Sequence, residues 1–185
     1  MVEAETWTGI MGIAPDVVVD AVLAKRNTGT AIGDAPLVIA LGPGFEAGRD
    51  CHMVIETDRG HELGRIITEG SAAPNTGVPG TIAGVSTERV VRAPAGGVFN
   101  ARRAIGDVVE VGEILGDVDG AEVAAAIAGV VRGLIRDGTT VDAGLKLGDI
   151  DPRANPGHCA TISDKARAIA GSVLEAVMRS VNALR

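Results

Sequence analysis

The densest group of side chains able to do chemistry lies between residues 56 and 65. Asp58-Arg59-Gly60-His61 reads as a turn, with Glu56 and Arg65 on the flanking strand segments. An arginine fork matches an oxyanion with two parallel N–H bonds, and a histidine exchanges a proton near neutral pH. Together these residues could orient an oxyanion. The plainer reading is a turn carrying an Arg–Glu pair and a surface histidine. Asn75 and Thr76 complete the candidate binding set, and a deep pocket joining them to the turn would mark an enzyme. No catalytic residue is assigned.

Other patterns carry less. Gly42-Pro43-Gly44 follows an apolar run and could turn backbone N–H groups toward an anion. No Lys-Ser/Thr follows it, however, and the glycine spacing does not fit the phosphate-binding fingerprints. Cys51-His52 and His158-Cys159 are mirror-image dipeptides. Adjacent residues on a strand face opposite ways, and neither dipeptide has the paired spacing of a zinc site, so no metal is assigned.

The elements that must hold these residues are short. Ala35 to Leu41 is an apolar run between Pro36 and Gly42-Pro43-Gly44, which predicts a buried strand. Residues 53–57 and 64–68 predict two more strands around the 58–61 turn. Residues 1–30 begin as loop; from Asp16 to Lys25 a β-branched run predicts a strand leading into a short helix. The stretch from Gly70 to Gly80 is turn chemistry throughout. From Thr161 to Arg185 the apolar residues Ile169, Val173, Val177 and Val181, with Leu174 and Met178 alongside, form the stripe of an amphipathic helix. Thr161, Ser163 or Asp164 can cap its start.

Composition agrees with a mainly β chain. Among 185 residues, 46% are hydrophobic but only 2% aromatic, with no Tyr, so Val, Ile, Leu and Ala must build the core. The 26 Gly and 8 Pro lack a fixed triplet period and suit short strands joined by tight turns. A net charge of −7 without a basic stripe argues against nucleic acid as a partner. Two cysteines make no disulfide framework. No run reaches the ~18 apolar residues of a membrane helix, and the acidic start does not read as a secretion signal. These features predict a cytoplasmic protein.

The strongest internal signal is a duplication. Val91, Ala93, Gly97, Val98, Gly106, Val109, Gly112, Leu115, Gly116, Asp117 and Asp119 recur without a gap at an offset of 32 residues, from Gly97 to Gly129, and end at Asp149 and Asp151. One such unit cannot bury its own apolar face. Two copies predict a closed pair about a pseudo-twofold axis, with glycines supplying positive φ at turns. With its Ala93-Pro94-Ala95-Gly96-Gly97-Val98 opening, the unit resembles the barrel-sandwich hybrid of biotinyl and lipoyl carrier domains. In those domains the cofactor hangs from a lysine on the hairpin between the halves. Here that hairpin, about residues 119–123, has none: the lysines are Lys25, Lys146 and Lys165. No biotin or lipoate attachment is expected, and any other cofactor is unknown.

Further motifs, in order, are Val18-Val19-Asp20-Ala21, Leu41-Gly42-Pro43-Gly44-Phe45, Val54 to Arg65, Pro74 to Gly80, Gly148 to Arg153 and Ile162 to Ile169. They resemble the YqeB-like family associated with selenium-dependent molybdenum hydroxylases, over about residues 15–178. Members commonly carry an additional N-terminal nucleotide-fold-like segment, which this chain is expected to lack. The resemblance implies an accessory or maturation protein that binds a molybdenum hydroxylase or a cofactor intermediate. Molybdate or a pterin phosphate would then be the oxyanion met by Glu56, Arg59, His61 and Arg65.

The expected fold class is α+β, mainly β. A mixed α/β domain covers residues 1–88, with helix 161–185 packed back on it, and a duplicated lipoyl-like β barrel covers 89–151. Alternative functions are a small enzyme acting on a cofactor-like substrate, or a non-catalytic scaffold. A homo-oligomer is expected.

Overall fold

The computed structural model describes residues 14–183. The loop expected over residues 1–13 and the last two residues of the expected tail helix lie outside the described residues. The chain is mainly β with one long C-terminal helix. It divides into two compact units, one of the residues up to 76 together with those from 163 onward, the other of residues 77–162.

The first unit is a four-stranded sheet in the order β1 (Val17–Asp20), β2 (Leu37–Leu41), β3 (Met53–Ile55) and β4 (Ile66–Ile67). β1, β2 and β3 run parallel, and β4 returns antiparallel to β3. Every residue of β2 is buried, as expected of a parallel strand covered on both faces. Its alternating side chains separate two cores. Val38 and Ala40 pack with Val54, Phe45, Cys51 and Ala72; Leu37, Ile39 and Leu41 pack with Ile55 and with Ile169 and Ala176 of helix α1 (Asp164–Ala183).

Ser163 caps α1, its Oγ accepting the Ala166 N–H at 3.2 Å. The packed face is Ile169, Val173, Ala176 and Val177. Leu174, Met178 and Val181, expected on the stripe, are exposed. At 3.6 residues per turn, a line drawn every fourth residue drifts off one face. The small Ala176, invisible to a search for large apolar residues, supplies the contact instead.

No short helix follows β1. Leu23 (φ 57°) and Lys25 (φ 63°) are left-handed. The Asp20 carboxylate accepts the Val22 N–H and the Thr30 hydroxyl, while Asn27 Oδ1 accepts the N–H groups of Gly29 and Thr30. These side chains offer the backbone an alternative to helical bonding. Among described residues 14–88 the helical turns are of 3-10 type, and α1 supplies the unit's α-helix.

The second unit holds eight strands: β5 (Val90–Arg92), β6 (Gly97–Ala101), β7 (Val108–Val109), β8 (Ile114–Val118), β9 (Ala121–Ala124), β10 (Gly129–Leu134), β11 (Thr140–Val141) and β12 (Lys146–Asp151). They form two antiparallel sheets, ordered β5-β12-β10-β7 and β9-β8-β6-β11. Strands at equivalent positions of the sequence repeat hold equivalent places in the two sheets. The repeat partners Val91/Val123, Ala93/Ala125, Val109/Val141, Leu115/Leu147 and Val118/Ile150 all enter one core. Between β8 and β9, Asp119 (φ 46°) and Gly120 (φ 87°) both take positive φ, as a two-residue hairpin turn requires.

Candidate functional site

The polar turn grows from the end of β3. After Ile55 the Glu56 side chain folds inward and is 5% exposed. One carboxylate oxygen accepts the N–H groups of Thr57 (2.7 Å) and Asp58 (2.8 Å). The other accepts the Ala73 N–H at 2.7 Å. An ionised carboxylate provides acceptors only, which suits a position facing three backbone donors. Glu56 therefore ties the turn to the loop leading to Asn75 and Thr76. The neck is closed by two backbone bonds, Glu56 N–H to Arg65 O and Gly64 N–H to Glu56 O. At Gly64 (φ 84°) a Cβ would lie 2.7 Å from the Ser172 Oγ, so a residue with a side chain would be strained in its backbone and would displace that hydroxyl.

Arg59 reaches the first turn of α1. Its two terminal nitrogens donate to the two Asp164 oxygens at 2.9 and 3.1 Å. Arg65 donates to Glu62 at 3.1 Å on an exposed face. His61, Asn75 and Thr76 are exposed. The structure thus joins Glu56 to the 73–76 loop and Arg59 to the helix, and it leaves Arg65 beside Glu62.

Sequence reasoning missed Asp164 as the partner of Arg59, and missed the polar groups at the carboxyl ends of the parallel strands. Lys165, half-buried one residue into α1, has its pKa pushed down by burial and by the nearby charges of Lys25 and Arg59, against Asp58 and Glu56. The next residue, Ala166, lines an open apolar groove of about 380 Å³ with Ala21, Leu23, Leu41, Ile169, Ala170 and Val173. None of the candidate binding residues lines that groove. The one available signal was that Lys25 and Lys165 are two of three lysines in the chain.

The cysteine–histidine dipeptides do different work. His52 Nδ1 accepts the Val38 N–H at 3.0 Å. Cys51 is buried, and burial pushes its thiol up to about 11. Cys159 contacts the Val131 carbonyl, and His158 Nδ1 lies 3.9 Å from Asp151. Among the described residues no group of three or more His, Cys, Asp or Glu side chains could hold a metal.

A mainly β chain with a clamped polar hairpin on a mixed sheet is the class that these observations define. Over 166 residues it is 53% identical to the uncharacterized protein YqeB of Escherichia coli K12, covering 90% of this chain and 31% of that protein. The chain is similar to that protein over about a third of the relative's length. No family model matches. Among solved structures, an aspartoacylase family protein from Mesorhizobium loti is similar at TM-score 0.32 and 17% identity, over 50% of this chain and 32% of that one. A succinylglutamate desuccinylase/aspartoacylase from Rhodobacter sphaeroides is similar at 0.30 and 24%, over 47% and 30%. Likeness this weak supports no inference about fold or chemistry.

Proposed function

We propose that this chain is a non-catalytic accessory module of a selenium-dependent molybdenum hydroxylase system, acting in the cytoplasm as a homo-oligomer. It binds the hydroxylase, or an intermediate of its cofactor, through the hairpin from Glu56 to Arg65. The observation that carries this reading is the way the hairpin is held. Glu56 fixes three backbone N–H groups beneath it, and the Arg59–Asp164 fork fixes its side. His61 and the Arg65–Glu62 pair are left facing solvent. Polar groups on a rigid, exposed turn suit recognition of another macromolecule better than chemistry that needs exclusion of water. The order of motifs along the chain supports the molybdenum hydroxylase assignment. The second unit is read as a barrel-sandwich hybrid of the biotinyl/lipoyl kind whose β8–β9 hairpin has no attachment lysine, consistent with a module that carries no swinging cofactor.

The test is capture of a purified molybdenum hydroxylase, with and without its cofactor, by the immobilised chain and by a His61→Ala/Arg65→Ala variant. Binding by the parent and at least about tenfold weaker binding by the variant is the expected result. Failure to bind either form, with the chain folded, overturns the reading. Turnover of a pterin-like substrate by the isolated chain would overturn its non-catalytic part.

A further inference from the structure

Helix α1 covers only part of the sheet face on which it packs. It lies chiefly against β2 and β3, and Ile39 of β2, on that face, has no exposed surface. Val19 of the edge strand β1 is the register partner of Ile39. Its side chain therefore leaves the same face, yet it is 40% exposed. Sheets of parallel strands are ordinarily covered on both faces. Here the β1 end of one face stands open beside the helix. The groove of about 380 Å³ opens there, with Ala21 and Leu23 on one wall and Ala166, Ala170 and Val173 on the other.

The apolar surface continues out of the groove on both sides. Among the described residues, the large apolar side chains that the first unit leaves exposed are Val19, Val22, Leu23, Leu174, Met178 and Val181. Each belongs to β1, to the chain leaving it, or to α1. At 3.6 residues per turn, Ala170, Leu174, Met178 and Val181 fall within about 80° of one another, so the stripe runs on from the groove wall along one flank of the helix. Glu175 and Arg179 pair with each other off that flank. Scattered apolar side chains on a surface need no explanation, but a continuous strip beside an open groove marks an interaction surface.

We propose that a second copy of this chain covers this face: the two α1 helices pack antiparallel about a twofold axis, and each lies over β1 of the other copy. The surface is self-complementary, as a twofold interface requires. Its large side chains, Leu174, Met178 and Val181, lie in the C-terminal half of α1, and its small ones, Ala166 and Ala170, lie in the N-terminal half beside the groove. Antiparallel packing sets large against small at both ends. With the axis between Leu174 and Met178, Val181 of one copy stands over Ala170 of the other, and Leu174 meets Met178. Arg167, which has no carboxylate partner among the described residues, then reaches the last turn of the other helix, whose carbonyl end attracts a cation. A helix of this length is about 30 Å long and about 10 Å wide. Seating one helix and offering the other covers about 600 Å² per copy, a total near the lower limit of stable interfaces, so the dimer dissociates at micromolar concentration. This gives the homo-oligomer of the proposed function its interface and rests on that part of the reading.

The test is sedimentation equilibrium of the full chain from about 1 to about 100 μM, beside Leu174→Glu/Met178→Glu. Both of these side chains are exposed in the single copy, so the variant's circular dichroism should match the parent's. The parent is expected to dimerise, and the variant's dissociation constant to rise at least about tenfold. Cross-linking reads the orientation. In a Cys159→Ser background, Ala170→Cys/Val181→Cys should give a disulfide-linked dimer on mild oxidation. Ala170→Cys alone should not, because antiparallel packing holds the two copies of residue 170 about 16 Å apart. A parent that stays monomeric at the highest concentration overturns the proposal together with the oligomeric part of the proposed function. A parent that dimerises while the glutamate variant dimerises equally, or that cross-links through Ala170→Cys alone as readily as through the pair, overturns this interface only. Hydroxylase capture is read with His61→Ala/Arg65→Ala, so its failure leaves this proposal standing.

Discussion

Asp151 shows how strongly one residue can depend on its surroundings. Its side chain has no exposed surface, yet it is an ionised carboxylate held by Arg153 (Nε at 2.9 Å), Arg132 (3.0 Å) and the Arg153 N–H (3.1 Å). The Arg153 guanidinium is the largest cause that keeps the carboxyl well below the usual carboxylate range. A depressed folded-state pKa contributes stability that is present above the unfolded value, about 4, and is lost as pH falls below it. Asp151→Asn should therefore cost roughly 3–5 kcal/mol at neutral pH and less in acid. Urea titrations at pH 7 and pH 3 measure this; equal stability of parent and variant at pH 7 would show that the arginines need no buried anion. Lys165 has the opposite sign. Its lowered pKa means that the charged form opposes folding, so Lys165→Met should raise the melting temperature of the ligand-free chain, most at low salt. Calorimetry checks this, and a lowered melting temperature would mean that the ammonium has a stabilising partner. At Cys51 burial and the raised thiol pKa predict inertness, so iodoacetamide should label Cys159 first in the native chain, as mass spectrometry would reveal.

At the scale of elements, the decisive contacts are close approaches of backbone. Gly116 in β8 and Gly148 in β12 are repeat partners. A Cβ on Gly116 would lie 2.4 Å from the Asn100 carbonyl oxygen, and one on Gly148 would lie 2.1 Å from that of Gly133. Neither neighbour is a flexible side-chain end, so either glycine changed to Ala should cost roughly 1–3 kcal/mol, by similar amounts. A neutral urea midpoint for either variant would show that the strands do not meet so closely. The hairpin of the first unit is held differently, by side-chain acceptance. In Glu56→Gln one oxygen becomes a donor facing a backbone N–H, and the expected loss is about 1–3 kcal/mol. Hydrogen exchange should quicken first at Thr57, Asp58 and Ala73; unchanged protection there would mean that solvent replaces the carboxylate.

For the whole molecule, the relevant fact is that each unit has its own core. Val91, Phe99, Leu115, Leu147 and Ile150 belong to the second, whereas the sheet β1–β4 and α1 hold the two cores of the first. A destabilising change in one unit should therefore act mainly within it. In Gly148→Ala, amide exchange should accelerate across β5–β12 and much less in β2 and β3. Uniform acceleration would mean that the two units unfold as one.

The sequence by itself determined whatever is written in local periodicity. The apolar run before Gly42-Pro43-Gly44 became β2, the serine before an amphipathic stretch became the cap of α1, and the offset of 32 residues placed matched side chains in one core, because strand alternation, helical pitch and a repeat are properties of neighbouring residues. The same reasoning placed Glu56, Arg59, His61 and Arg65 about a turn. It did not reveal that Glu56 faces inward to hold three N–H groups, nor that the partner of Arg59 lies 105 residues away. It also missed the open apolar groove between the β1 exit and α1, and it expected Leu174, Met178 and Val181 on the packed face. Only the tertiary structure decided these, since they depend on how α1 docks against β2 and β3. Docking is governed by shape and small residues such as Ala176, whose contribution no spacing rule records.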